Sequence, residues 1–229
     1  MFEEKFDRLL SWGRYLHWSD LNFQKYFNFG NDKSLNKGDA VGDMLLLAFV
    51  SQWLASLYVV LEGWHELNEK DERIDKILNI SKKHHNLLRR HRNAVFHYQP
   101  SLFDKKFSEI TKEGISTLIW AVALELEFQR YFWEWPEKHL ITKEQKTEAR
   151  KLIETAIGWI PVEIFAAEKD RLRKINEEAN EMLAKAEDKN SAHYLELKKA
   201  VDMGDAIIQE TLNLKIEDIV NTINNGKTI

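Results

Sequence analysis

Apolar side chains recur every three or four residues along most of the chain, which is the spacing of α-helices rather than strands. Only nine glycines and three prolines interrupt this pattern. It therefore predicts an all-α protein. Four helices are expected in the N-terminal part, at about 3–29, 40–68, 72–98 and 103–135. Pro100 and Pro136 are expected to end the third and fourth, because proline lacks the amide hydrogen that a helix needs.

The first two helices carry further signals. Gly13 and the stretch 18–20 are candidate breaks in the first helix, and Asp39 or Asp43 is expected to cap the second. The stretch 44–61 is apolar enough to suggest a membrane span. However, polar residues lie within it and a glutamate closes it, so we favour a central helix of a bundle.

Beyond residue 142 the aromatic content falls, and three or four further helices are expected, with breaks near 158–161, 188–190 and Asn213. One of them carries an apolar stripe formed by Phe165, Leu172, Ile175, Ala179, Met182 and Ala186. The stripe suits either a hairpin packed within the chain or a coiled-coil arm, and its short, alanine-rich seam favours the hairpin. We therefore predict a helical bundle over residues 1–142 and a helical C-terminal extension of unknown role over 143–229.

Composition narrows the possible chemistry. The chain has 229 residues and no cysteine, which excludes disulfides, thiolate nucleophiles and cysteine-ligated zinc. This is consistent with a reducing compartment. The N-terminus is charged and lacks the apolar segment of a signal peptide. We expect a cytoplasmic protein with no membrane partner.

Charge is distributed unevenly. The net charge is -4, yet no acidic residue lies between Lys76 and Phe103. This segment carries six cations, so the remainder of the chain stands at -10. The cations are Lys76, Lys82, Lys83, Arg89, Arg90 and Arg92. Such a concentration of positive charge favours a phosphate-bearing ligand, although a run of cations is also typical of a solvated helix face.

The predicted third helix places polar residues on an apolar face. Its inward stripe is predicted to be Ile74, Leu78, Ser81, His85, Leu88, Arg92 and Val95. Burying His85 and Arg92 costs free energy unless they are paired or line a cleft. On a neighbouring face Asn93 lies one turn before His97. Arg92 and His97 are separated by roughly 7.5 Å along a helix axis, so both could reach one phosphate.

The segment Arg92-Asn93-Ala94-Val95-Phe96-His97 resembles the R-x4-6-H signature of HEPN domains (higher eukaryotes and prokaryotes nucleotide-binding). The placement is similar too, since the HEPN signature lies late in the third helix of a four- or five-helix bundle, behind a long apolar second helix. The resemblance covers about residues 1–142 and implies an HEPN-like up-and-down bundle with an additional helical C-terminal region.

Many HEPN domains are metal-independent endoribonucleases that act as toxins or in antiviral defence. The resemblance implies that His97 is the general base or acid, Arg92 binds the scissile phosphate and Asn93 orients one of them. It also implies a homodimer with RNA as substrate, no cofactor or metal, and a possible antitoxin or nucleotidyltransferase-type partner. The run of cations and the neighbouring polar residues suggest substrate-binding roles for Lys82, Lys83, Arg89, Arg90 and His85. Glu62 is expected to support Arg92.

Simpler interpretations remain open. His97 could be a surface histidine near a helix end, Arg92 could form a structural ion pair with Glu62, and His84, His85 and His91 are expected to be solvated or partly packed. Glu62 and His65 have the ligand spacing of di-iron bundles, but no second such pair exists in the chain, so no metal is expected. The alternative function is a catalytically inactive HEPN module that binds nucleic acid, a nucleotide or a protein partner. A structural adaptor is a third possibility.

Overall fold

The computed structural model describes residues 2–32, 34–35, 38–80, 82–101, 104–158, 161–186 and 188–212. Every regular element within these ranges is helical, which confirms the all-α prediction. The helices are α1 (Phe2–Asn31), α2 (Ala40–Leu67), α3 (Glu72–Ile80), α4 (Lys82–Phe96), α5 (Lys105–Glu113), α6 (Ile115–His139), α7 (Lys143–Leu152, continued by a π-helical turn over Ile153–Ile157), α8 (Pro161–Lys185) and α9 (Ala192–Leu212).

The chain divides after Thr117 into two compact units. In the first unit α1 packs along α2, and α2 packs along α4. The shorter helices α3 and α5 each pack against α4. The helix α4 therefore contacts three others, which gives its side chains well-defined surroundings. The bundle boundary expected after residue 142 stays a prediction.

The contact between α1 and α2 is close at one point. The indole Nε1 of Trp12 donates a hydrogen bond of 2.9 Å to the carbonyl of Val60. Gly63, one turn later, faces the same indole, and a Cβ at that position would lie 2.7 Å from Trp12 Cδ1. The helix α1 continues through Gly13 and residues 18–20, so the break expected there is absent.

The helix α2 begins and ends much as its sequence predicts. Asp39 is the N-cap, and its side chain accepts a hydrogen bond from the Gly42 amide at 2.8 Å. Among the described residues α2 is the one helix that could cross a membrane by length and composition, and 44% of its most apolar stretch is buried. Central helices of water-soluble bundles meet the same criteria, so the expected cytoplasmic location stays a prediction.

The predicted third and fourth helices are each two helices. The third is divided into α3 and α4 around residue 81, which lies outside the described residues. The fourth is divided at Gly114, whose φ of 60° suits glycine and interrupts the helical path. The predicted stop before Pro100 is confirmed, since α4 ends at Phe96. The predicted stop at Pro136 is wrong, because α6 continues through it to His139.

In the second unit α8 and α9 form an antiparallel hairpin. Leu172, Ile175 and Ala179 are buried, as the apolar stripe predicts, whereas Met182 is 49% exposed. This confirms packing within the chain for that stripe, although the side chain of Phe165 lies outside the described part. The breaks near 158–161 and 188–190 are confirmed. The break near Asn213 falls outside the described residues.

Candidate functional site

Polar side chains meet where α2 packs along α4. Each helix contributes three residues with the same spacing, so that the three share one face. We call these six residues the α2–α4 polar cluster: Tyr58, Glu62 and His65 from α2, and His85, Arg89 and Arg92 from α4.

Arg92 is held in this cluster by neighbours on both helices. Its Nη1 donates to Oδ1 of Asn93 at 3.0 Å, and its Nη2 lies 3.4 Å from Oε2 of Glu62. The guanidinium carbon is 5.9 Å from the centre of the Tyr58 ring. The Arg92 side chain nevertheless remains 32% exposed. The guanidinium is thus oriented by the protein and still accessible to an anion from solvent.

The ion pair between Arg92 and Glu62 is long and partly exposed. At 3.4 Å the contact with Glu62 is near the limit of a hydrogen bond, and the Glu62 side chain is 41% exposed. Partly exposed ion pairs contribute at most about 1 kcal/mol to stability. The pairing of Glu62 with Arg92 that the sequence suggested is present, and it helps to position the guanidinium.

His85 lies between the two helices of the cluster. Its ring centre is 5.8 Å from that of Tyr58 and 6.0 Å from that of His65. Partial burial lowers the pKa of His85, and the neighbouring His65 and Arg89 lower it further, partly opposed by Glu62. A neutral imidazole at pH 7 is therefore available in the cluster as a proton acceptor or a hydrogen-bond partner.

Tyr58 responds to the same surroundings in the opposite direction. Burial raises the pKa of the Tyr58 phenol and Glu62 raises it further, whereas Arg89 and Arg92 oppose the shift. The phenol consequently stays protonated at neutral pH and can act as a hydrogen-bond donor.

His97 lies just beyond the end of α4 with an exposed side chain. Its backbone carbonyl accepts a hydrogen bond of 2.7 Å from Nε2 of Gln99. Its imidazole makes no hydrogen bond or ring contact with the described residues. The predicted stacking of Asn93 one helical turn before His97 is not formed, because α4 ends at Phe96, one residue before His97. The structure brings Arg92 and Asn93 into contact, but it brings His97 to neither of them.

The four cations that were predicted to bind substrate all lie on α4, and Arg90 among them is already paired. Lys82, Lys83, Arg89 and Arg90 are all exposed on α4. Arg90, however, forms an ion pair with Glu109 of α5, with Nη1 to Oε2 at 2.8 Å and Nη2 to Oε1 at 2.9 Å. Arg90 therefore ties α5 to α4, and a substrate would have to compete with Glu109 for it.

Two histidines that were expected to be solvated or partly packed are in the core. His84 is 3% exposed and its Nδ1 is 3.1 Å from Oγ1 of Thr117. His91 is 0% exposed, and its ring meets Phe107 edge to face at 5.5 Å. The expectation fails because α5 and the start of α6 cover this side of α4. Neither imidazole is accessible to RNA.

Tyr58 and His65 were not among the predicted site residues. The signal that could have found them is spacing, because residues 58, 62 and 65 repeat the intervals of 85, 89 and 92. Two helices with matching polar positions can align them when they pack side by side. Within the described ranges no three histidine or carboxylate side chains are arranged to hold a metal ion.

Comparisons of this chain with protein-family models, with curated proteins and with solved structures found no match.

Proposed function

We propose that this chain is a metal-independent endoribonuclease of the HEPN type, active as a homodimer in the cytoplasm as a toxin or in antiviral defence. In this role Arg92 binds the scissile phosphate, His97 transfers the proton and Asn93 orients the guanidinium. An antitoxin or a nucleotidyltransferase-type protein would be the expected partner. The C-terminal helices have no assigned part in the reaction.

The single observation that carries the proposal is the state of Arg92. A guanidinium fixed by Asn93 and Glu62, yet 32% exposed, is ready to bind a phosphate without reorganising. Four further cations and no acidic residue lie on α4, and although Arg90 is paired with Glu109, the helix as a whole attracts a polyanion.

The reaction that these groups suit is attack by the ribose 2′-hydroxyl. The imidazole of His97 takes the 2′-hydroxyl proton, and the 2′-oxygen forms a bond to phosphorus. The bond from phosphorus to the 5′-oxygen breaks, that oxygen takes a proton from water, and the His97 imidazolium returns its proton to solvent. The products are a 2′,3′-cyclic phosphate and a 5′-hydroxyl. Arg92 offsets the negative charge that builds up on the phosphoryl oxygens.

The test is cleavage of single-stranded RNA in the presence of a chelator by wild type, His97→Ala and Arg92→Ala. Loss of the proton-transfer group or of the phosphate ligand is expected to reduce the cleavage rate by about 100-fold or more. Matched controls are His193→Ala and Arg173→Ala, an exposed histidine on α9 and a partly exposed arginine on α8, which are expected to cut at the wild-type rate. Cleavage that survives both site variants contradicts the proposal.

The same experiment separates the inactive binding module from the nuclease. If wild type leaves RNA intact but binds it with an affinity that falls steeply with salt, the chain is a binding module whose Arg92 contacts phosphate. One observation favours this second function, namely that the His97 imidazole makes no contact with Arg92.

A further inference from the structure

Two aromatic side chains flank His97. Phe96 is 53% exposed and Tyr98 is 91% exposed. Neither ring contacts another ring among the described residues. Another exposed aromatic pair behaves differently: Tyr15 and Trp18 meet edge to face at 5.4 Å, and the guanidinium carbon of Arg14 lies 5.4 and 5.5 Å from their ring centres.

The position of Phe96 and Tyr98 restricts what could cover them. They lie at the end of α4, which carries five cations and no acidic residue. An acidic or polyanionic ligand is drawn to that helix, and an apolar planar group would be drawn to the rings. Unpaired nucleotides combine both chemical features in one molecule, a phosphate and a flat base.

We propose that Phe96 and Tyr98 stack against unpaired bases of single-stranded RNA, with the intervening phosphate directed to His97 and Arg92. The inference rests on the proposed ribonuclease function and assigns it two further residues that position the substrate. In a duplex the bases are already stacked on each other and paired, so their faces are not available to the rings. Duplex RNA can then meet only the cations of α4.

Stacking has a measurable consequence. Removal of one stacking ring lowers affinity for a single strand by about 5- to 150-fold. The loss is expected to be independent of base sequence, because every base offers an aromatic face. It is also expected to depend on the aromatic character of the side chain rather than on its apolar volume.

The experiment measures binding, so that it does not depend on cleavage. The probe is a short fluorescent 2′-O-methyl RNA, which lacks the attacking hydroxyl, used as a single strand and annealed to its complement. The variants are Phe96→Leu and Tyr98→Leu, with Phe96→Tyr and Tyr98→Trp as aromatic replacements. Trp18→Leu is the matched control, because Trp18 is 49% exposed but lies on α1. Circular dichroism confirms that each variant is folded.

Each leucine variant at Phe96 or Tyr98 is expected to lose about 5- to 150-fold in affinity for the single strand and to bind the duplex as wild type does. The aromatic replacements and Trp18→Leu are expected to bind the single strand with near wild-type affinity. Equal losses for single strand and duplex, wild-type binding by both leucine variants, or failure of the aromatic replacements overturns the inference. A leucine variant that turns a dimer into a monomer in sedimentation also overturns it, since the rings would then contact a second copy. If the rings bind single strands but wild type cuts no RNA, only the nuclease proposal fails.

Discussion

Acidification is expected to destabilise the protein through His91. This residue is 0% exposed, and apart from a marginal interaction with the backbone of Lys106 its ring nitrogens have no hydrogen-bond partner within the described structure. Burial lowers the pKa of His91 from 6.5 to about 4, an effect that the backbone of Lys106 only partly opposes. The folded protein therefore keeps this imidazole neutral at pH values where the unfolded chain protonates it.

The size and sign of the effect follow from proton linkage. Between pH 6.5 and about 4 the unfolded state binds one more proton at His91 than the folded state does, so stability falls as the pH is lowered through this window. A shift of about 2.5 pKa units corresponds to about 3 kcal/mol, since each unit is worth about 1.4 kcal/mol. Roughly 2 kcal/mol of this is already lost at pH 5.

The assay compares urea unfolding of wild type and His91→Leu between pH 8 and pH 4.5, followed by tryptophan fluorescence. Leucine fills a similar volume and removes the buried unpaired nitrogens. Other groups titrate in both proteins, including His17 and His85, whose pKa values burial also lowers. Their contributions cancel in the difference between the two free energies of unfolding.

The difference is expected to move in favour of the leucine variant by about 2 kcal/mol as the pH falls to 5. His193→Leu, a change at an exposed histidine of α9, is the control and is expected to track wild type. A difference between wild type and His91→Leu that stays constant with pH would refute the reasoning, because it would mean that His91 titrates alike in the folded and unfolded states.

Three further substitutions test the packing and capping described above. Gly63→Ala is expected to cost about 1–3 kcal/mol in chemical denaturation, because the added methyl group overlaps the Trp12 indole, and a neutral effect would show that this contact is loose. Asp39→Ala is expected to lower the free energy of unfolding by about 1 kcal/mol through loss of the N-cap, with Asp39→Asn near wild type, and equal losses in the two would contradict the capping role. Gly204→Ala is expected to lower the midpoint of thermal unfolding, because a Cβ would lie 2.6 Å from Oδ1 of Asn176, whose amide is fixed by Val201, and an unchanged midpoint would mean that α8 and α9 adjust freely.

The helices that the sequence predicts best are those with local signals. The limits of α2 could be predicted because an aspartate cap precedes a long apolar run and polar residues follow it. Pro136 misled the prediction because it lies in the last turn of α6. The proline costs one hydrogen bond there, while the Leu140 amide still donates to the Pro136 carbonyl at 3.0 Å and the neighbouring Trp135 is buried.

The inward face of α4 shows the limit of periodicity. The buried positions are His84, Leu87, Leu88, His91 and Ala94, so His85 and Arg92 lie at the edge of the predicted stripe. Because two leucines are adjacent and the two histidines suit either a buried or an exposed position, the sequence of α4 is compatible with more than one choice of buried face. Which face is buried depends on tertiary contacts that the local sequence of α4 does not contain, namely Phe107 of α5 against His91 and Thr117 at the start of α6 against His84.

The candidate site could be predicted in part for the same reason. The proximity of Glu62 and Arg92 was expected, and the structure places them 3.4 Å apart. The participation of Tyr58 and His65 depends on how α2 and α4 align, which is a tertiary contact rather than a pattern within either helix. His97 remains the residue whose assigned role depends most on the HEPN resemblance.

The most direct measurement is the chemical nature of the RNA ends that the purified full chain produces in the presence of a chelator. We expect 2′,3′-cyclic phosphate and 5′-hydroxyl ends from wild type, none from Arg92→Ala or His97→Ala, and none when the RNA carries 2′-O-methyl groups. Uncut RNA, 5′-phosphate ends, or cyclic ends that persist in both variants would contradict the account.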